Sequence, residues 1–380
     1  MGVDPMFDAN VWARVPFHFW SVVFFVFGSM VGSFLNVCIH RMPLGLSVVS
    51  PPSHCPHCKY SIPWYLNMPL MTWLALRGKC KNCGAPISVR YFLVELLTAS
   101  LFLGCWLAYG ETSAWLALTY ALLLAGMVAA TFIDFEHFII PDEITIGGVV
   151  VGVLLSLCPQ LHGQATIWQG LWQGLLGAGV GWLLIYSIVR LGKLMFGRQR
   201  LQLPLEAKIV FSETAVHLPD REIPFEELFY RQSDEIVIQA RTLELIDRGY
   251  ANVTVRLSPK QLRIGDEEFN PETIPHMEAV GSEIVLPREA MGFGDVKFMA
   301  AIGAFLGWQA TVFSLIVSSF LGSIVGIIGI ATKGRERFAR IPYGPYIAGA
   351  ATIWIFLSPA ARQEVKEILS VFNFFASPGP

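Results

Sequence analysis

Two aspartates sit where charge is costly. Asp134 closes an apolar run in Phe132-Ile-Asp-Phe-Glu-His-Phe-Ile-Ile-Pro-Asp142, and Asp295 opens another in Gly292-Phe-Gly-Asp-Val-Lys297. Ionisable residues inside or at the edge of membrane spans are rare unless function requires them. Two aspartates at one membrane boundary can face each other across a cleft, and the chemistry that needs opposed carboxylates is acid–base activation of water. Like charges a few ångströms apart do not both ionise, so the pair titrates as a unit. The ionised partner takes a proton from water while the other protonates the scissile carbonyl or the leaving amine. Gly292 and Gly294 would let a substrate backbone come close. Plainer readings stand beside this one: Asp295 as a helix N-cap worth about 0.5–2 kcal/mol, and Asp134 as a solvated helix end. Asp142, after Pro141, reads as the N-cap of the next span. Glu136, His137 and Glu143 read as interfacial residues, and Lys297 as a partner of lipid phosphate.

A second constellation is Cys55-Pro-His-Cys58 and Cys80-Lys-Asn-Cys83, two C-x-x-C knuckles flanking the segment Lys59–Lys79. This is close to the spacing of a zinc ribbon, in which four thiolates close a tetrahedral shell around one Zn²⁺. Pairs two residues apart let one tight turn present both sulfurs, and Gly84 relieves the backbone after the second pair. A closed four-sulfur shell leaves no open position, so Cys55, Cys58, Cys80 and Cys83 predict a structural metal that folds a loop too small for its own core. The alternative is a pair of redox dithiols. His54 and His57 flank the first knuckle as possible substitute ligands. Cys38, Cys105 and Cys158 lie in or beside apolar runs and read as packing residues.

The elements that must position these residues are membrane spans. Only 15% of the 380 residues are charged and 54% are hydrophobic, with a mean hydropathy of +0.53; a disordered or ordinary water-soluble chain does not look like this. A net charge of -2 excludes a strongly basic nucleic-acid binder, and seven cysteines in this length do not make a disulfide scaffold. Apolar runs recur at about Phe17–Ile39, Tyr91–Tyr109, Ala114–Ile133, Ile144–Cys158, Gly170–Leu191, Val296–Trp308, Thr311–Ala331 and Tyr343–Leu357, which predicts about eight transmembrane helices. Gly28 and Gly32, and Gly174, Gly177 and Gly181, are spaced for helices to pack backbone to backbone in lipid.

Loop charge predicts the orientation. Cys38 to Arg90 carries Arg41, Lys59, Arg77, Lys79, Lys81 and Arg90 with no acidic residue, and Lys333, Arg335, Arg337 and Arg340 form a second basic cluster. Both should be cytoplasmic, while Asp4 and Asp8 against Arg14 place the N-terminus outside. Half of all charged residues fall between Arg198 and Glu289, 17 acidic against 11 basic, so this stretch reads as a soluble cytoplasmic insertion. Period-two runs such as Ile236-Val-Ile and Val253-Thr-Val-Arg-Leu257 make it β-rich, with short helices expected at Glu226–Tyr230 and Arg241–Arg248. The expected fold is therefore an α-helical polytopic membrane protein with a cytoplasmic zinc-ribbon loop and a small soluble β-rich (α+β) insertion domain. Its segments are an N-terminal span (1–37), the ribbon (38–90), helices with the first Asp (91–195), the insertion (196–290), helices with the second Asp (291–357) and a tail (358–380).

Several motifs in register resemble one family, the type IV prepilin peptidases, membrane aspartyl proteases of the Gly-x-Gly-Asp class. They are Gly32-Ser-Phe-Leu-Asn-Val-Cys-Ile-His-Arg-Met-Pro43, the two cysteine knuckles, Arg77-Gly-Lys-Cys80, Arg90-Tyr-Phe-Leu-Val-Glu-Leu-Leu97, Ile133–Asp142, Gly292–Lys297 and Ile341-Pro-Tyr-Gly-Pro-Tyr346. The resemblance implies an inner-membrane protease that cuts the basic leader from type IV prepilins and type II secretion pseudopilins after Gly, at the cytoplasmic face, with Asp134 and Asp295 as catalysts. It also implies N-methylation of the new terminal residue from S-adenosylmethionine, for which Gly78, Lys79 and Glu95 are the candidates. Glu95 has an equal reading as a charge satisfied within the bundle. No glycine-rich cofactor fingerprint follows a predicted strand, so this cofactor rests on the resemblance alone.

The insertion departs from the family pattern by widening the interval between the two aspartates. It is expected to bind a pilus or secretion assembly partner, to gate substrate, or to be a tolerated loop domain; its excess of acid suits basic leaders. A peptidase without methyltransferase activity is the near alternative. A proton-coupled transporter would predict inverted repeats, and neither aspartate motif recurs. A tethered ribbon that binds nucleic acid or protein would leave both aspartates unexplained.

Overall fold

The computed structural model describes residues 16–225, 228–229, 234–245, 248–274, 276–287, 291–333 and 342–370. They form two units, Met1–Ile185 with Phe293–Pro380, and Tyr186–Gly292.

The first unit is helical. After α1 (Phe17–Arg41) comes the ribbon, which contains a one-turn helix α2 (Met71–Ala75), and then α3 (Val89–Tyr109). The chain continues through α4 (Ala114–His137), α5 (Asp142–Leu155) and α6 (Ile167–Phe196), and α6 runs on into the insertion. After the insertion follow α7 (Phe293–Leu306), α8 (Trp308–Lys333), α9 (Gly344–Phe356) and α10 (Pro359–Ser370). Serine side chains start two of these helices by accepting orphan amides, Ser88 from Arg90 and Ser113 from Leu116.

Among the described residues five helices, α1, α3, α4, α6 and α8, are long and apolar enough to cross a membrane, so the chain is a multi-pass membrane protein. The other three expected spans form shorter helices of 14, 14 and 13 residues, α5, α7 and α9. At 1.5 Å per residue these reach roughly 20 Å, short of the ~30 Å hydrocarbon core. Burial, and not lipid, accounts for the apolar character of α7: from Asp295 to Phe305 all but Lys297 are buried. The segment expected to be only a tail begins with α10, and the Arg362 guanidinium lies over the Tyr109 ring.

The glycine spacings serve packing, as expected. A methyl group on Gly28 would lie 2.7 Å from Phe102 Cβ, and one on Gly32 2.7 Å from Glu95 Cα, so α1 meets α3 at backbone distance. Gly177 meets Gly303, and Gly181 meets Met299, which seats α6 on α7 in the same way.

The second unit holds one antiparallel sheet in the order β3-β2-β1-β8-β4-β5-β6-β7. The long strands are β1 (Arg198–Phe211), β4 (Ile236–Leu245), β5 (Gly249–Leu257) and β8 (Met277–Pro287). The shorter ones are β2 (Ala215–His217), β3 (Glu222–Pro224), β6 (Leu262–Ile264) and β7 (Glu267–Phe269). Its core gathers Ile209, Ile236, Ile238, Leu243, Ile264 and Ile284, all at most 2% exposed. The β-rich expectation holds, but the helix expected at Arg241–Arg248 does not: through Leu245 this stretch is strand β4, paired with β5 on one side and β8 on the other. Ladder bonds on both sides outweigh the helix propensity of Arg-Thr-Leu-Glu-Leu. Two residues of that expected helix, 246–247, lie outside the described residues. So do most of the other expected helix, Glu226–Tyr230, the N-terminal charges Asp4, Asp8 and Arg14, and most of the Lys333–Arg340 basic cluster.

Candidate active site and metal centre

Asp134 lies one turn before the end of α4. There Phe138, in the left-handed region at φ 55, closes the helix by donating its amide to the Asp134 carbonyl. The Asp134 side chain is buried, at 5% exposure, which rules out the solvated helix end. Its Oδ2 accepts the Gly344 amide at 2.9 Å. Gly344 is the first residue of α9, so the partial positive charge of a helix N-terminus points at the carboxylate.

Asp295 is the third residue of α7 and is 7% exposed. It stands inside the first turn, not at the N-cap position. Ile140 links the two acids: a methyl on Gly294 would lie 3.3 Å from Ile140 Cβ, and one on Gly344 would lie 3.1 Å from Ile140 Cδ1 and 2.8 Å from Asp134 Oδ2. The end of α4, the start of α7 and the start of α9 thus share one neighbourhood. Lys297 pairs with Asp142, joining the starts of α5 and α7. The N-cap of α5 is Pro141, and Asp142 follows it as the first helical residue. Glu136 pairs with Arg90 at the foot of α3.

Gly344, Ile140 and Tyr343 were given no role by sequence reasoning. Tyr343 is held by hydroxyl contacts to Ser318 at 2.9 Å and Ser319 at 3.0 Å. Pro345 just inside the helix start is a recognisable N-terminal signal, but nothing in the sequence shows that this helix start meets Asp134. Gly344→Ala should lower cleavage of a peptide substrate by up to about 10²-fold with the fold intact, because the added methyl displaces the carboxylate it touches. The turnover rate of the purified variant checks this.

The candidate metal site is built from two equivalent knuckles. In the first, the Lys59 amide donates to Cys55 O and the Cys55 amide to Tyr60 O; in the second, Gly84 donates to Cys80 O and Cys80 to Ala85 O. Lys59 (φ 57) and Gly84 (φ 71) occupy the same left-handed corner. The four sulfurs all lie within 4.8 Å of one another, with Cys55–Cys83 at 3.8 Å and Cys58–Cys80 at 4.0 Å. A disulfide needs about 2.05 Å, so the cluster is a set of four thiols able to hold a metal ion. The Asn82 side chain, then the backbone at Tyr60, draws the Cys58 thiol down to about 6, which favours the thiolate a metal requires. His54 turns its Nδ1 to Pro52 O.

Of the candidates for a methyl-donor site, Glu95 and Gly78 are engaged internally, while the Lys79 side chain is exposed. Glu95 Oε2 accepts the Leu70 amide at 2.7 Å, just before α2, with Ser33 as a further partner. Gly78 (φ +66) packs against the Trp73 indole, and the Lys79 backbone forms an antiparallel bridge with Pro86 beside the second knuckle. Glu95 thereby ties the ribbon to α3. Glu95→Ala would strand the Leu70 amide at a cost of about 1–3 kcal/mol, expected as faster limited proteolysis within Asn67–Met71.

The comparisons place this arrangement in a class. Residues 26–109 match the bacterial peptidase A24 N-terminal domain, and residues 121–198 and 277–327 match the type IV leader peptidase family. The interruption falls on the insertion. The chain belongs to the type IV leader peptidase family. Three similar proteins each carry the name prepilin leader peptidase/N-methyltransferase. That of Aeromonas hydrophila is 29% identical over 90% of this chain and 91% of its own length. That of Myxococcus xanthus is 42% identical over 83% of this chain and 64% of its own. That of Dichelobacter nodosus is 35% identical over 47% of this chain and 69% of its own. No solved structure matches the chain.

Proposed function

We propose that this protein removes leader peptides from type IV prepilins and related pseudopilins, and N-methylates the processed product, at the cytoplasmic face of the bacterial inner membrane. The observation that carries the peptidase reading is the pair of buried aspartates, Asp134 under the Gly344 amide and Asp295 in the first turn of α7. Together they share one proton. The ionised carboxylate removes a proton from water as its oxygen bonds to the scissile carbonyl carbon, and the protonated partner donates to the carbonyl oxygen. Breakdown of the tetrahedral intermediate returns the proton to the leaving nitrogen and breaks the C–N bond. Gly292 would admit the substrate backbone near Asp295, while Gly294 lets Ile140 pack close beside it.

The methyl-transfer half rests on the shared name of the relatives. S-adenosylmethionine would supply the methyl group, but Glu95 and Gly78 already face internal partners, so no step is assigned to them. At the ribbon, Cys55, Cys58, Cys80 and Cys83 fit Zn²⁺: a tetrahedron with Zn–S bonds of about 2.3 Å has sulfurs about 3.8 Å apart, close to the observed separations. Its role is structural.

The test is to incubate purified protein with a prepilin and labelled S-adenosylmethionine. Leader release and label on the mature chain are both expected; release without label leaves a peptidase alone, and neither product refutes the reading. For the insertion we favour docking of an assembly partner, because it has its own sheet and core. Replacing residues 199–288 by a short flexible linker should leave cleavage of purified substrate unchanged; loss of cleavage would instead make it a substrate gate.

A further inference from the structure

The ribbon shows a second surface away from its sulfurs. Val49 and Trp64 are 85% and 84% exposed, and Leu46, Tyr65, Met68 and Met71 are at least half exposed. Val49, Trp64, Met68 and Met71 line one groove, and an exposed apolar surface of this kind is rare where a protein meets only water. It belongs to a segment with six Lys or Arg and no acidic residue between Cys38 and Arg90.

The ribbon is also held at the membrane edge from both sides. A 3-10 turn, Met42–Leu44, follows α1 without a break. Glu95 of α3 grips Leu70, and the Trp73 and Phe92 rings meet in a tilted contact with centroids 5.1 Å apart. Between the ribbon and α1 lies a cavity of about 710 Å³, walled by Val26, Met30, Phe34 and Val37 on the helix and by Trp64 and Met68 on the ribbon. The outward face of α1 is therefore continuous with the apolar rim.

We propose that the ribbon is an interfacial module that binds anionic phospholipid. Trp64, Tyr65, Met68 and Met71 insert at headgroup level, an acyl chain lies in the cavity against α1, and Lys59, Arg77, Lys79 and Lys81, the last with its ammonium 5.7 Å from the Tyr65 ring centroid, reach lipid phosphates; Arg41 and Arg90 already hold internal partners. Trp and Tyr favour this depth because one end of each ring system is apolar and the other polar. Lys and Arg lay their stems on the apolar surface and keep their charge in the headgroups, and the absence of acid selects an anionic leaflet. The metal knuckles then act as the rigid core of a membrane-seated platform. The proposal does not depend on the peptidase reading.

The full chain in nanodiscs tests it. The Trp64 fluorescence component is isolated as the difference between wild type and Trp64→Phe, both checked for equal metal content. Phosphatidylglycerol brominated near the headgroup should quench that component at least about twofold more than equally brominated phosphatidylcholine at the same mole fraction. A Val49→Trp variant adds a second reporter on the rim and should behave alike, which keeps the test valid if Trp64→Phe loses metal. No quenching by either lipid overturns the proposal. Equal quenching by both overturns the anionic selectivity. Protection of Trp64 from a water-soluble quencher only when prepilin is added assigns the rim to substrate and overturns the lipid reading.

Discussion

Asp134→Asn and Asp295→Asn each lower leader cleavage by at least about 10³-fold, within the range of a lost acid–base group, while the membrane bundle stays folded. Asparagine has the shape of aspartate, and its carbonyl oxygen still accepts the Gly344 amide that holds residue 134. What it loses is the ability to take or give a proton, so the effect should fall on the chemical step and not on substrate binding. Both acids are buried, so replacing either by a neutral group removes a buried charge without opening a cavity, and stability should not fall. Methyl transfer to substrate that has already been cleaved should survive in both variants, which separates a lost catalyst from a misfolded protein. The measurement is single-turnover cleavage of a purified prepilin. A variant that cleaves within tenfold of wild type ends the assignment of that residue, and the shared proton mechanism with it.

Loss of the metal is the second large effect. Cys58→Ser or Cys80→Ser, or prolonged chelation, should reduce bound zinc from about one ion per chain to almost none and expose the ribbon to protease. The ribbon has few fully buried apolar side chains: between Met42 and Ser88, Cys55 is the only buried hydrophobic residue. Structural zinc supplies about 10–16 kcal/mol in small metal-folded domains, comparable with the whole stability of a typical domain, so nothing else in the loop can replace it. Cleavage should persist in part, because Asp134 and Asp295 stand on α4 and α7 and not in the ribbon. Methyl transfer, if it uses the ribbon, should be lost. Metal analysis with limited proteolysis reads the first effect, and paired cleavage and methylation assays read the second. Full metal content in either variant would overturn the four-cysteine site.

Much of this was legible before any coordinates. Asp134 and Asp295 were conspicuous because charge at the edge of an apolar run needs a reason, and the four cysteines because their spacing fits one tight turn per pair. Both signals are local in the chain and survive without tertiary knowledge. The Arg241–Arg248 stretch shows the opposite case. Its composition suits a helix, but its conformation was decided by two strands distant in sequence that needed partners. Lys297 and Asp142 illustrate the same limit at the site: Asp142 had a plausible local reading as a helix cap, and the fold gave that position to Pro141 and joined Asp142 to Lys297 instead.

Membrane character, the charged insertion, the paired cysteine knuckles and the unusual placement of the two acids follow from sequence alone, since hydropathy, charge density and cysteine spacing are properties of neighbouring residues. Only the tertiary structure set a helix N-terminal amide from Gly344 against Asp134, placed Ile140 between the two glycine turns, and turned Glu95 into a clamp on the ribbon. Those relations join residues as far apart as 210 positions. They depend on which helices pack together, and no local pattern in the chain encodes that.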